Sequence, residues 1–154
     1  MTIEQSGPID GSDIVLVPVA ADRVDAVLAG ELAPYVAGPG WPHDDTPAAL
    51  SFRAVQGMTW LIAVDGIVVG DVGTKGPPDV DGQVEIGYGL AAPSRGQGLG
   101  TRAVGVLVDW LLARDDVRVV IAHVNPVNVP SARLLLRLGF RQVGKAGDED
   151  VYAR

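Results

Sequence analysis

Apolar positions along this chain recur with two periods, and the switches between them outline its elements. Ile14-Val15-Leu16-Val17 is a short β-branched run that predicts a first strand. Residues 22–32 place Val24, Val27, Leu28 and Glu31 at helical spacing, with Asp22 as N-cap. Residues 34–47 are dense in Pro, Gly and aromatics and predict a loop. Thr46-Pro47 then reads as N-cap and first helical residue of a short helix ending near Val55. Two β-rich runs, 59–64 and 67–72, flank Asp65-Gly66 and predict a hairpin. After a polar loop at 75–82, residues 83–90 form another expected strand. The clearest helix starts at Leu99, where Ala103, Val106, Leu107, Trp110 and Leu111 share one face. Arg102, Gly105 and Asp109 form its narrow wet stripe. Residues 117–122 read as a buried strand and 130–138 as a helix, with Gly139 suited to the left-handed position after it. Residues 140–143 and 150–154 close the chain as two strands, and the polar residues 1–13 are expected to be loosely ordered.

The order β-α-α-β-β-β-α-β-α-β-β, without repeat or linker, predicts one domain over residues 1–154 of the α/β class, an α+β sandwich. Composition changes this picture little. The hydrophobic fraction is 47% and the charged fraction 20%, ordinary for a globular chain. The absence of cysteine excludes disulfides, thiolate metal sites and a cysteine nucleophile. Residues 1–6 lack a basic region followed by an apolar stretch, so no secretory signal is expected. The apolar runs fall well short of the roughly 20 residues a membrane helix needs. A soluble, cytoplasmic protein without a membrane partner is the expectation. The net charge of -7 disfavours a nucleic-acid partner and suits a cationic one.

The chemistry concentrates in Arg95-Gly96-Gln97-Gly98-Leu99-Gly100-Thr101, which follows a predicted strand and opens the long helix. Glycine admits positive φ and lets backbone approach a ligand without Cβ collisions. The first amides of a helix lack intrahelical acceptors, and the macrodipole adds positive potential there. Arg95 contributes a full charge. A Walker loop would need Lys-Ser/Thr after its last glycine, and a dinucleotide fingerprint starting at Gly96 would need a small residue at Thr101. Neither fits. A ligand-free glycine-rich turn is the competing reading.

These residues resemble the GNAT superfamily of N-acetyltransferases, whose Gln/Arg-x-x-Gly-x-Gly/Ala signature is met by Arg95, Gly98 and Gly100. Asn128-x-x-Ser131, Leu134 and Gly139-Phe140 resemble a second block, from the branch that includes ribosomal-protein N-terminal acetyltransferases. Val84-Glu85-Ile86-Gly87-Tyr88 is similar to that branch's fourth strand. The resemblance covers residues 59–143 well. It implies a mixed, mostly antiparallel sheet of six to seven strands with helices on both faces. Acetyl-CoA would lie as co-substrate in a V-shaped opening between the fourth and fifth strands. The amides of Gly96, Gln97, Gly98, Leu99, Gly100 and Thr101 would meet its pyrophosphate beside Arg95, with Tyr88 and Leu90 on the strand before. Asn128 would bond the pantetheine arm, and Ser131 would lie near the thioester sulfur.

Glu85 is the most informative acid. Alternation sets Val84, Ile86, Tyr88 and Leu90 on one face and Glu85, Gly87 and Gly89 on the other. A carboxylate over an otherwise bare trough can take a proton from an acceptor ammonium, directly or through water. An ion pair is the alternative, and a bulge near Gly87 would undo the facing. Ser131 can donate to the departing thiolate or serve as a helix cap. Where many relatives carry a general-acid tyrosine, this chain has Leu135; Tyr88 and Tyr152 are substitutes or packing residues. His123 can act as a base or as a core residue, and His43 can line the acceptor pocket. The histidines show no metal-ligand spacing, so no metal is expected.

The resemblance places the acceptor between residues 34–55 and the turn at 144–150, where Asp44, Asp45, Asp148, Glu149 and Asp150 suit a cation. An α-amine, with pKa about 8, needs less help to deprotonate than lysine at about 10.4. The expected function is acetyl transfer from acetyl-CoA to a primary amine by direct attack, the acceptor being a protein or peptide N-terminus or a small-molecule amine. A non-catalytic acyl-CoA-binding or regulatory domain is the alternative. A homodimer is compatible with everything read so far.

Overall fold

The computed structural model of the chain describes residues 7–11 and 13–154. It begins with strands β1 (Ile9–Gly11) and β2 (Ile14–Pro18), helix α1 (Val24–Leu28), strand β3 (Val36–Ala37) and helix α2 (Thr46–Gln56). Strands β4 (Met58–Val64), β5 (Ile67–Thr74) and β6 (Gln83–Leu90) follow, then helix α3 (Leu99–Leu112) and strand β7 (Val119–Val124). Helix α4 (Val129–Arg137) and strands β8 (Arg141–Ala146) and β9 (Glu149–Ala153) end the chain. The sheet runs β1-β2-β4-β5-β6-β7-β9-β8, with β3 beside β5. Among the described residues only the β3–β5 and β6–β7 pairs are parallel.

The β4–β5 hairpin closes on Asp65 and Gly66, both left-handed at φ 50° and 79°, the combination a two-residue primed turn needs. The long apolar face of α3 buries Leu99, Ala103, Val104, Leu107 and Leu111 in one core with Trp60, Ile62, Val72, Val84 and Ile86 from the sheet. A second core on the opposite face joins Val24 and Val27 of α1 and Leu50 of α2 to Trp41, Leu61 and Val68. Helices therefore cover both faces, as expected. Among the described residues no helix is long and apolar enough to cross a membrane.

Several local readings need correction. Residues 9–11 are not loose: they pair with Ile14, Val15 and Leu16 as an added edge strand. Residues 1–6 and 12, part of the same expectation, lie outside the described residues. Among the described residues, the two short strands β1 and β3 bring the sheet to nine strands. Helix α1 stops at Leu28 because the chain turns at Gly30, whose φ is 99°. Asp22 sits in a 3-10 turn and makes no side-chain cap. Thr46 is not the cap of α2 but its first residue, after Asp45. Its hydroxyl instead accepts from the backbone N of His43 at 3.0 Å, which ties the preceding loop to the helix.

The feature that positions the site is a split in the sheet. Strands β6 and β7 pair only at Gln83, Val84 and Glu85 against Val119, Val120 and Ile121. On its other side β6 stays in register with β5 without a bulge as far as Leu90. Beyond Glu85 the two strands part, giving the V-shaped opening between the fourth and fifth expected strands.

Candidate active site

A cleft of about 1200 Å³ occupies this opening and runs from the α3 and α4 N-termini to the α2 side of the sheet. At one end lies the glycine turn. Gly96 and Gly98 both have φ 76°, and a Cβ added to either meets no protein atom within 4 Å. Gly98 is the N-cap of α3, so the first amides of that helix open into the cleft. Gly100 is bare for a different reason: its added Cβ would press on Leu134 and Leu90 at 3.1 and 3.2 Å. Its role is close packing of α3 against α4 and β6. Arg95 is steered by its Nε, which donates to Leu90 O at 3.0 Å. The Gln97 side chain turns back to donate to Pro93 O at 3.1 Å, and Gln97 is absent from the cleft lining that includes Tyr88, Leu90, Arg95, Gly96 and Gly98. These residues fit an extended, phosphate-bearing thioester: bare left-handed glycines, free helix amides and a guanidinium converge.

Across the opening, Asn128 caps α4 by accepting from Ser131 N at 3.3 Å. The Ser131 hydroxyl is thereby free of capping and meets Tyr88 Oη at 2.5 Å. This bond bridges the two sides of the V, an encounter the sequence did not reveal because the residues belong to different elements. Burial raises the Tyr88 pKa, and the Ser131 hydrogen bond opposes that only in part. The phenol thus stays protonated at neutral pH and is available as a donor. Leu135 is fully buried in the core, and Tyr152 is packed there as well.

Glu85 and the trough behave differently from the bare groove the alternation suggests. The facing is right, but neighbouring elements fill the space above Gly87 and Gly89. Lys75 Cε lies 3.1 Å from where a Gly87 Cβ would stand, and His43 Nε2 lies 3.1 Å from the Gly89 position. Glu85 itself holds Lys75 Nζ at 2.6 Å, while its second oxygen lies 3.8 Å from His123 Nδ1. His123 lines the cleft, whereas Glu85 stands just behind it.

Sequence reasoning passed over a buried ion pair at the α2 end of the cleft. Arg53 and Asp71 are 3% and 1% exposed and hydrogen-bond directly to each other. Arg53 also donates to Gly87 O at 2.6 Å and to Ala49 O at 3.2 Å. The available signal was a charge on the apolar, core-facing period of each element: Arg53 three residues after Leu50, and Asp71 inside a Val-rich strand. Of the acidic residues expected around the acceptor, Asp45 and Glu149 line the cleft. Among the described residues, no group of three or more His, Asp and Glu is placed to hold a metal ion.

Comparisons with known proteins place the chain in a family and bear out the fold. The family model for the acetyltransferase (GNAT) domain matches residues 13–141. An uncharacterized N-acetyltransferase of Bacillus subtilis, YjdG, is 29% identical over 132 residues, spanning 79% of this chain and 78% of that protein. Among solved structures, RimL, a ribosomal L7/L12 alpha-N-protein acetyltransferase, superposes in its apo form with a TM-score of 0.71 at 19% identity, covering 100% of this chain and 99% of that one. The microcin C7 self-immunity acetyltransferase MccE, solved with acetyl-CoA and AMP, gives a TM-score of 0.68 at 18% identity, over 93% of this chain and 92% of that one. The likeness to the two structures concerns the fold. The family match is what assigns the chain: it belongs to the GNAT acetyltransferases and is an acetyl-CoA-dependent acyltransferase.

Proposed function

We propose that the protein transfers acetyl from acetyl-CoA to a primary amine by direct attack, with a protein or peptide N-terminus or a small-molecule amine as acceptor. The observation that carries this reading is that one cleft joins the glycine turn to a hydroxyl pair and to an imidazole that has a carboxylate behind it. The cradle residues Arg95, Gly96, Gly98, Leu99, Gly100 and Thr101 would hold the pyrophosphate, and Gln97 would stiffen the turn from behind. Tyr88, Leu90 and Asn128 would flank the pantetheine arm.

In the reaction, the acceptor ammonium gives a proton to His123, which Glu85 orients from behind. The neutral nitrogen attacks the thioester carbonyl, forming the C–N bond. The tetrahedral adduct then collapses: the C–S bond breaks, the thiolate takes a proton from Ser131 and Tyr88 reprotonates Ser131. The second proton of the acceptor nitrogen returns through water to the Tyr88 phenolate, and His123 releases the first to solvent. That relay would supply what Leu135 cannot.

Glu85→Gln should lower kcat by at least roughly tenfold near neutral pH, part of the roughly hundredfold or more that a positioned base contributes, while sparing CoA-induced stabilisation. A pH–rate profile matching wild type would make Glu85 structural. Tyr88→Phe should lower kcat by about tenfold with little change in the midpoint of thermal unfolding, since one hydrogen bond is worth about 1 kcal/mol. If release of free CoA thiol proceeded at the wild-type rate, the relay would be wrong.

A further inference from the structure

We infer that Arg53 is a positioning residue for acetyl transfer: it fixes and polarises the Gly87–Tyr88 peptide, whose N–H meets the thioester carbonyl oxygen in the V. This rests on the acetyl-transfer reading above. A buried ion pair adds little to a fold that a hydrophobic pair would not, so its place beside the cleft asks for another role. Arg53 is 3% exposed and spends its donors on three elements. Its Nε donates to Ala49 O at 3.2 Å within α2, and its Nη2 donates to Asp71 on β5. Nη1 reaches Gly87 O at 2.6 Å, a short charge-assisted bond to the strand that carries Tyr88. Asp71 neutralises the pair as a whole, so what acts on β6 is this bond rather than a long-range field.

The ladder between β5 and β6 sets the direction of each peptide. Lys75 N donates to Glu85 O and Ala91 N to Val69 O, both at 2.8 Å, at the two ends of the register. In an antiparallel pair, residues that exchange such bonds alternate with residues that do not. Glu85, Gly87, Gly89 and Ala91 therefore turn their backbone groups toward β5, and Ile86, Tyr88 and Leu90 turn theirs to the other edge. Leu90 O agrees, accepting from Arg95 Nε on that edge. The register with β7 ends at Glu85 and Ile121, and Ile86 adjoins that last pair. Tyr88 N–H is the first donor of the outward set clear of it, and it faces the V.

Gly87 C=O and Tyr88 N–H are two ends of one peptide. The carbonyl has two lone pairs; Gly73 on β5 takes one and Arg53 the other. Hydrogen bonds in series strengthen one another by about 10–30% per bond, so the Arg53 bond makes the N–H at the far end a better donor. It also pins a peptide plane that glycine leaves loose. The Tyr88 hydroxyl meets Ser131 at 2.5 Å, beside the proposed position of the sulfur, and the carbonyl carbon is bonded to that sulfur. Its oxygen therefore falls within reach of the Tyr88 edge. As the C–N bond forms, negative charge collects on this oxygen, and the C=O bond is restored when the C–S bond breaks. A donor already fixed there lowers the barrier without reorganising.

The test uses the full chain and acetyl-CoA isotope-labelled at its carbonyl carbon. Two readouts are taken: the infrared carbonyl band of bound acetyl-CoA, and kcat and KM for thiol release with a panel of amines. Arg53→Met alone leaves Asp71 charged and buried, so the first variant is Arg53→Met with Asp71→Leu. The second, Arg53→Lys, keeps a charge beside Asp71 without the fork that serves Gly87 as well. In wild type the band should move to lower wavenumber on binding. Both variants should lose most of that shift. Their KM for acetyl-CoA should stay within about twofold while kcat falls about threefold to tenfold, a fraction of the roughly hundredfold that a whole oxyanion donor contributes. Asp71→Asn leaves the Arg53 donor and an acceptor for Nη2 in place, and should keep the shift. No shift in wild type would overturn the inference, as would variants whose band or kcat matches wild type, or an equal loss of shift in Asp71→Asn. The infrared arm needs no acceptor. If no amine released thiol, the amine-acetylation reading would fall while the band still decided the role of Arg53.

Discussion

Replacing Gly98 by valine is expected to abolish measurable CoA binding, a loss of at least about a hundredfold. Two effects combine. At φ 76° a β-branched residue is strained, so the first turn of α3 would shift to relieve it. The valine methyls would also enter space that no protein atom fills, where the proposed cradle would meet the phosphates. Gly98→Asn separates these effects, because asparagine tolerates the left-handed region several-fold better than other side chains. It should retain the thermal midpoint of wild type and still fail to respond to CoA. Calorimetric titration showing unchanged affinity in Gly98→Asn would remove the cradle assignment.

Arg53→Met is expected to destabilise the fold by about 3–5 kcal/mol, the cost of leaving one member of a buried pair without its partner. For a chain of this size that corresponds to a drop of roughly ten degrees in the thermal midpoint. Asp71 would retain a charge in a site that is 1% exposed, beside an oxygen that already lacks a partner. Removing both charges together, as Arg53→Met with Asp71→Leu, should recover most of the loss. Equal midpoints for wild type and the single variant would mean the pair contributes nothing to the fold.

The parts of this molecule legible in sequence are those set by local physics. The β4–β5 hairpin follows from Asp65-Gly66, the α3 face from a long apolar period, and the left-handed turn before α3 from Gly96 and Gly98. What escaped depends on contacts between distant elements. The Tyr88–Ser131 bridge joins residues 43 positions apart, and the Arg53–Asp71 pair joins residues 18 apart. The trough over Gly87 and Gly89 shows the limit well. Alternation places Glu85 on the correct face, yet no local pattern says that His43, Arg53 and Lys75 reach over from other elements. Short edge strands are similarly obscure: Ile9–Gly11 has little pattern of its own and is ordered by the partner it finds in β2.

The three-residue pairing between β6 and β7 has a mechanical consequence. It leaves the molecule as two leaves joined along a short spine, with β6 and β7 no longer paired to each other beyond Glu85 and Ile121. A slender chain bearing its own amides can lie in that gap as a surrogate strand, stitching the margins together by the same bonding that knits the rest of the sheet. The thioester donor would then be more than cargo: while bound, it would brace the leaves that must hold still for the reaction.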